Sequence, residues 1–192
     1  VYLGLRHIRE VALTTSFISA FEKDSGAFDV SAFWEHSFGA GLAARIIASE
    51  TRLVNAEEAF LGGLFHDLGK VRTHGIEHGE IGAALGAELG LPVDIQAIMK
   101  KHIRGGMTRA EALELGLPDI DYTLHRLEER IIIYADRLVD IIGDGVEPDP
   151  IKAEERFAEI LTTIVRYGKN ETTLNRYLRY HEEIQGLIAA RP

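Results

Sequence analysis

AFLGGLFHDLGK, residues 59–70, is an apolar run that closes on an adjacent imidazole and carboxylate, His66-Asp67. Asn55 and Glu58 precede it at the three-residue spacing of a capping box, so a helix is expected from about Asn55 to Gly69, with Gly69 as its stop. Neighbouring side chains on a regular helix diverge by ~100°. The pair converges on one centre only if the helix ends there, and a terminal Gly69 allows that. His36 lies upstream and Asp136 downstream, each in its own apolar-periodic stretch. Divalent ions such as Mn, Fe and Mg accept imidazole nitrogen and carboxylate oxygen, and a site built on several helices leaves positions open for water and substrate. An isolated helical histidine is usually only a partly buried side chain with a satisfied hydrogen bond. The ordered set His36, His66, Asp67 and Asp136 is a candidate hard-metal site.

Outward from this run, apolar residues recur at three- and four-residue spacing, and no sustained period-two alternation appears, which predicts an all-α fold. Helices are expected from about Gly4 to Phe21, from a Ser31 cap to Glu50, and, beyond the His-Asp helix, from Glu77 to Leu89. Others follow from Pro92 to Ile103, from Thr108 to Leu115 on a Thr108/Glu111 capping box, and from Leu127 to Ile142. After the break GDGVEPDP, helices from Ile151 to Tyr167 and from Asn170 to Ala189 close the chain. Residues 1–192 are read as one domain, with 151–192 a C-terminal helical hairpin extension; no internal repeat or low-complexity tract divides it.

Bulk properties narrow the chemistry. A chain of 192 residues with 46% hydrophobic content fills one core. The absence of cysteine removes disulfides, thiolate catalysis and Cys-ligated zinc together. A net charge of -9 argues against broad attraction to nucleic acid or an anionic membrane, because such binding needs many Lys and Arg facing phosphates. No apolar run reaches the ~18 residues of a membrane span, and no export signal opens the sequence at Val1, so a cytoplasmic protein is expected. Lys70, in the pattern HDLGK, is placed to set an ammonium beside a bound phosphate. Arg72, Lys100, Lys101 and Arg104 are further candidates for phosphate contact, of which Lys101 and Arg104 join Lys70 as the expected substrate-binding set. His7, His125 and His181 are assigned to structure or solvent, and His74 carries little signal.

The order His36, His66-Asp67, Asp136, with LGGLFHDLGK almost whole, resembles the HD superfamily of metal-dependent phosphohydrolases. The resemblance implies a multi-helix HD-domain bundle. His78 in EHGEIGAAL and His102 in MKKHI fall where HD proteins with two-metal sites, such as the HD-GYP phosphodiesterases, place additional histidines. It therefore implies one or two divalent ions (Mn, Fe, Ni, Co, Zn or Mg) on His36, His66, Asp67, Asp136, His78 and His102, with Asp67 and Lys70 catalytic. The stretches GLRHIREVALTTSFISAF, FDVSAFWEHSFGAGLAARIIA and AEEAFLGGLFHDLGK look like the HDOD subgroup, whose domains often act in bacterial signalling and have often lost ligands. From VRTHGIEHGEIGAALGAELGLP to EERIIIYADRLVD the chain resembles small, mainly prokaryotic HD-family predicted hydrolases that keep them. The GYP motif is absent, since IRGGMTRAE follows His102, which argues against a cyclic-di-GMP substrate.

Two functions follow from this reading. The first is a phosphohydrolase that cleaves a phosphomonoester or phosphodiester, a nucleotide or related small metabolite, with metal-activated water. The second is a non-catalytic HDOD-like regulatory module whose ligand set persists as a structural metal site, its partner being another protein or a copy of itself. Nucleic-acid cleavage has little support, because no basic, aromatic-interleaved stripe is present.

Overall fold

Asp29, rather than the expected Ser31, opens the first helix: its carboxylate accepts the Ala32 N–H at 2.9 Å, and α1 runs Val30–Thr51. An Asp one turn ahead of the apolar stripe competes directly with Ser31 for the cap, and its acceptor-only carboxylate also meets the positive helix end favourably. The computed structural model describes residues 29–190, so the expected helix from Gly4 to Phe21, with His7, lies outside the described residues. Among those described the structure is all-α, with ten α-helices, two short 3-10 segments and no strand.

Helix α2, Ala56–Phe65, begins where the Asn55 side chain accepts the N–H groups of Glu57 and Glu58. It lies against α1 with no side chain between the backbones at one point. A Cβ added to Gly63 would sit 2.7 Å from the Gly41 Cα, well inside contact distance. This close approach sets the separation of His36 on α1 from His66 beyond α2, so any larger residue at either position pushes the two elements apart.

The α-helix ends at Phe65, four residues earlier than the sequence suggests. Asp67 takes φ -96 and ψ 8, and a 3-10 segment, Leu68–Val71, follows. Gly69 sits inside that segment and stops nothing. Its role is close approach, because a Cβ there would meet the His78 carbonyl oxygen at 1.9 Å. The His-Asp pair is thereby pressed against the start of α3, His78–Glu88.

Helix α4 spans Val93–Lys101 and leads through a 3-10 segment, Ile103–Gly105, to α5, Arg109–Glu114, which carries the expected Thr108/Glu111 capping box. Helix α6, Leu127–Gly143, is the core element. Residues Ile131, Ile132, Ile133, Tyr134 and Ala135 are consecutive and all fully buried, which requires packing on every side. Burying each isoleucine contributes about 1.5–3 kcal/mol relative to exposure.

The single helix expected from Ile151 to Tyr167 is three pieces: α7 Pro150–Glu155, α8 Phe157–Thr163 and α9 Val165–Gly168. Ile164 is extended, at φ -110 and ψ 97, directly after two threonines whose hydroxyls donate back to the Ala158 and Glu159 carbonyls. Such local bonds offer the backbone an alternative to continued helix. Helix α10, Glu171–Ala189, then packs Tyr177, Tyr180 and Ile184 into the same core as α6. Its Arg176 donates to the Arg104 carbonyl at 3.0 Å and its Tyr180 hydroxyl to the Gly105 carbonyl at 2.9 Å, which fixes the turn that follows His102.

Candidate metal centre

Six side chains from five elements meet in one place. His36 comes from α1, His66 and Asp67 from the end of α2, His78 from the first turn of α3, His102 from the end of α4 and Asp136 from mid-α6. They form two groups whose ligand atoms lie within 4.8 Å of one another: His36, His66, Asp67 and Asp136, then Asp67, His78 and His102. Asp67 belongs to both, one oxygen to each. Its Oδ2 lies 3.6 Å from His36 Nε2 and 3.5 Å from His66 Nε2. Its Oδ1 lies 3.3 Å from His78 Nε2 and 3.1 Å from His102 Nε2. Asp136 Oδ1 completes the first group, 3.0 Å from His36 Nε2 and 3.1 Å from His66 Nε2.

Three of the histidines are held by one device. Nδ1 of His66, His78 and His102 lies 2.6, 2.7 and 2.7 Å from the carbonyl oxygen three residues earlier, those of Gly63, Gly75 and Met99. A carbonyl only accepts, so each Nδ1 carries a proton and, in the neutral ring, each Nε2 presents a bare lone pair inward. The Nε2 atoms of His78 and His102 are then 2.9 Å apart, two acceptors face to face. Only a cation or an added proton between them relieves that contact. On the other side, the buried His36 Nε2 lies among carboxylate oxygens, 3.0 Å from Asp136 Oδ1 and 3.6 Å from Asp67 Oδ2. This donor set fits a divalent ion of the kind that takes mixed nitrogen and oxygen ligands.

The electrostatics follow from burial against charge. Burial opposes ionisation of Asp67 and Asp136, yet the surrounding imidazoles, with Lys70 beside Asp67, hold both carboxyls well below their usual range. Burial likewise opposes charge on His66, but the two carboxylates override it and raise the ring to about 9. His36 is raised for the same reason, chiefly by Asp136. His102 moves the other way: burial dominates and Asp67 alone does not compensate, so its pKa is lowered.

The basic residues expected around the site divide. The Lys70 ammonium donates to Asp67 Oδ2, at the junction of the two groups, and burial fails to lower its pKa because Asp67 raises it. Lys101 instead binds the buried carboxylate of Glu129 at 2.9 Å, which itself accepts the His125 and Arg126 N–H groups at the start of α6. Lys100 pairs with Glu80 at 3.1 Å. Arg104 stands in a left-handed turn, φ 53, beyond His102, and its guanidinium makes no ion pair among the described residues. His125 and His181 bond to Thr123 and Tyr134, away from the cluster.

Sequence reasoning passed over Asp140. Its Oδ1 lies 3.7 Å from His36 Nδ1, so His36 alone of the four faces a carboxylate on its outer side where the others have a carbonyl. Burial and the nearby Asp136 raise the Asp140 carboxyl, and Arg137, which also donates to Tyr177 of α10, holds it at 3.0 Å. The signal was present, since Asp136 and Asp140 are four apart on one helix face.

Comparison with known proteins agrees with this architecture. Residues 1–74 match the HDOD domain model. Two structures of the PgpH phosphodiesterase HD domain of L. monocytogenes superpose on the chain. One, in complex with cyclic-di-AMP, gives a TM-score of 0.51 at 17% identity over 83% of this chain and 92% of that one. The other gives 0.52 at 19% identity over 82% and 90%. The chain has the HD-superfamily fold, with an HDOD-like N-terminal part. It shares a family with uncharacterized protein MJ0778 of Methanocaldococcus jannaschii, 41% identical over 70% of this chain and 75% of that protein. A shorter stretch, half of this chain, is 37% identical to 26% of a tRNA (cytidine(56)-2'-O)-methyltransferase of Picrophilus torridus. No described helix is long and apolar enough to cross a membrane.

Proposed function

We propose that the protein is a metal-dependent phosphohydrolase acting on a phosphomonoester or phosphodiester, a nucleotide or related small metabolite. The observation that carries this reading is the division of Asp67, one oxygen toward His36, His66 and Asp136 and the other toward His78 and His102. His36, His66, Asp67 and Asp136 would hold one divalent ion, and Asp67, His78 and His102 a second. Such ions supply Lewis acidity and an acidified water to phosphoryl transfer. The chain's own part is positional. Backbone carbonyls lock the tautomers of three histidines, so no reorganisation is needed when the ester arrives. Lys70 sets its ammonium at Asp67 Oδ2, where it offsets charge that grows on a phosphoryl oxygen. No serine or cysteine nucleophile is required. Arg104, whose guanidinium makes no ion pair among the described residues, is the basic side chain beyond His102 assigned to the substrate phosphate, whereas the role expected of Lys101 requires it to leave Glu129.

The test is an assay of nucleotides, generic phosphate esters and cyclic dinucleotides with manganese, nickel, cobalt and magnesium. Cyclic-di-AMP belongs in the panel because a PgpH HD domain binds it, and 2'-O-methylcytidine monophosphate because of the methyltransferase relatives. Activity that disappears in Asp67→Ala supports the reading; inactivity of metal-loaded protein on every substrate rejects it. The HDOD match over residues 1–74 favours a second reading, a regulatory module with a structural ion. Open coordination positions and phosphate binding at the ion decide for the enzyme, and a closed, fully protein-ligated ion decides for the module.

A further inference from the structure

Beside the ligand cluster a cavity of about 610 Å³ runs between α1 and α6. It begins at His36 and Asp140 and extends nearly three turns along α1 to Ile46, and along α6 to Gly143 and Asp144. Its walls are apolar, formed by Leu42, Ala43, Ile46, Val139 and Ile142, and its rim carries Glu35, Asp140 and Asp144. Among the described residues, no lysine or arginine lines it. Leu42 and Ile46 remain 47% and 55% exposed, which leaves apolar surface uncovered directly next to the candidate metal centre. The volume falls within the range of pockets that enclose small ligands.

We propose that this cavity seats the non-phosphate part of the ester: an uncharged, apolar-faced group bearing N–H or O–H donors, as a nucleoside does. The proposal rests on the phosphohydrolase reading for its placement of the phosphate. His36 belongs to both the cluster and the cavity wall, so an ester whose phosphoryl group lies at the cluster has its alcohol side at the cavity mouth. The carboxylates of the rim are acceptors only and select donors. Asp144 already accepts the Tyr167 hydroxyl at 2.8 Å and Arg166 at 2.9 Å, and Asp140 Oδ2 accepts from Arg137 at 3.0 Å, which leaves Glu35 and the Asp140 Oδ1 for the ligand. The same acidic rim repels a second phosphate, so the cavity favours a nucleoside monophosphate over a diphosphate. Gly143 lines the far end, and a Cβ added there meets no heavy atom within 4 Å, so a larger side chain is accommodated at this position without displacing its neighbours.

The experiment uses two cavity variants, Gly143→Leu and Leu42→Asn, with Phe38→Glu, exposed on the same helix but outside the cavity, as the control. Two quantities are read: calorimetric binding of adenosine, which needs no catalysis, and the ratio of kcat/KM for AMP to that for glycerol 3-phosphate. Adenosine affinity and the ratio are each expected to fall about tenfold or more in both cavity variants and to hold in the control. If adenosine binds and Gly143→Leu abolishes the binding while no ester is hydrolysed, the nucleoside seat stands and the phosphohydrolase reading falls. If AMP is hydrolysed but both variants retain wild-type ratios and adenosine affinity, or if the wild type does not bind adenosine, the cavity assignment is overturned.

Discussion

On the Oδ2 side of Asp67 stand two histidines and a second carboxylate, Asp136, whereas the Oδ1 side has, among the described residues, His78 and His102 with no carboxylate but Asp67 itself. One additional acid reverses the proton chemistry of the same residue type. His66, between two carboxylates, is raised to about 9, while His102, equally buried, is lowered because one carboxylate does not offset its burial. Without metal the first side holds a proton at neutral pH. The second presents a bare ring nitrogen. The lesson is that the number of acids, more than the number of imidazoles, sets how strongly each half competes for a proton and for a cation.

The comparison breaks most severely at the shared residue. Asp67→Ala removes an oxygen from both halves, so bound metal falls to near zero by elemental analysis and kcat falls about 10³-fold or more. Retention of either ion in that variant would mean the halves do not depend on a common carboxylate. Next come the one-sided changes. His66→Ala is expected to remove one ion and His102→Ala the other, each lowering kcat by about 10²-fold. Equal metal content in the two variants and the wild type would contradict the division into two halves.

The pH dependence sharpens the contrast. Metal entering the Oδ2 side must displace the His66 proton, so below pH 9 its affinity rises at least about tenfold per pH unit, while the lowered His102 on the Oδ1 side adds no such dependence above neutrality. Competitive chelator titrations at several pH values measure both slopes. The sign for stability is the opposite. A histidine raised from 6.5 to about 9 adds stability that is complete below 6.5 and lost as pH rises through about 9, so metal-free protein in EDTA should unfold at lower urea as pH climbs across that window. The smallest effect expected is that of Asp140→Asn, which leaves all six ligand side chains in place but removes the carboxylate facing the outer nitrogen of His36. About tenfold weaker metal binding on the Oδ2 side is predicted from the same titration.

Much of this arrangement was legible in the sequence. The 3.6-residue periodicity and the Asn55 and Thr108 caps placed most helices, and the HD resemblance named the six residues that the fold brings together. What escaped was set by contacts between elements. Nothing local distinguishes Gly69 as a helix stop from Gly69 as a seat for the His78 carbonyl; only the packing of α3 decides it. Lys101 reads as a phosphate-binding cation until Glu129, 28 residues away, is folded against it. The break at Ile164 depends on threonine hydroxyls turning back to their own helix. Asp140 was visible as the i+4 neighbour of Asp136, yet its meaning required His36 to arrive from another helix.

The most direct test is an anomalous-scattering map of manganese-soaked crystals. Two peaks about 3.5–4 Å apart, bridged by the Asp67 carboxylate with His36, His66 and Asp136 on one and His78 and His102 on the other, are predicted. A map with no peak at this cluster, or with ions that Asp67 does not touch, would contradict the account.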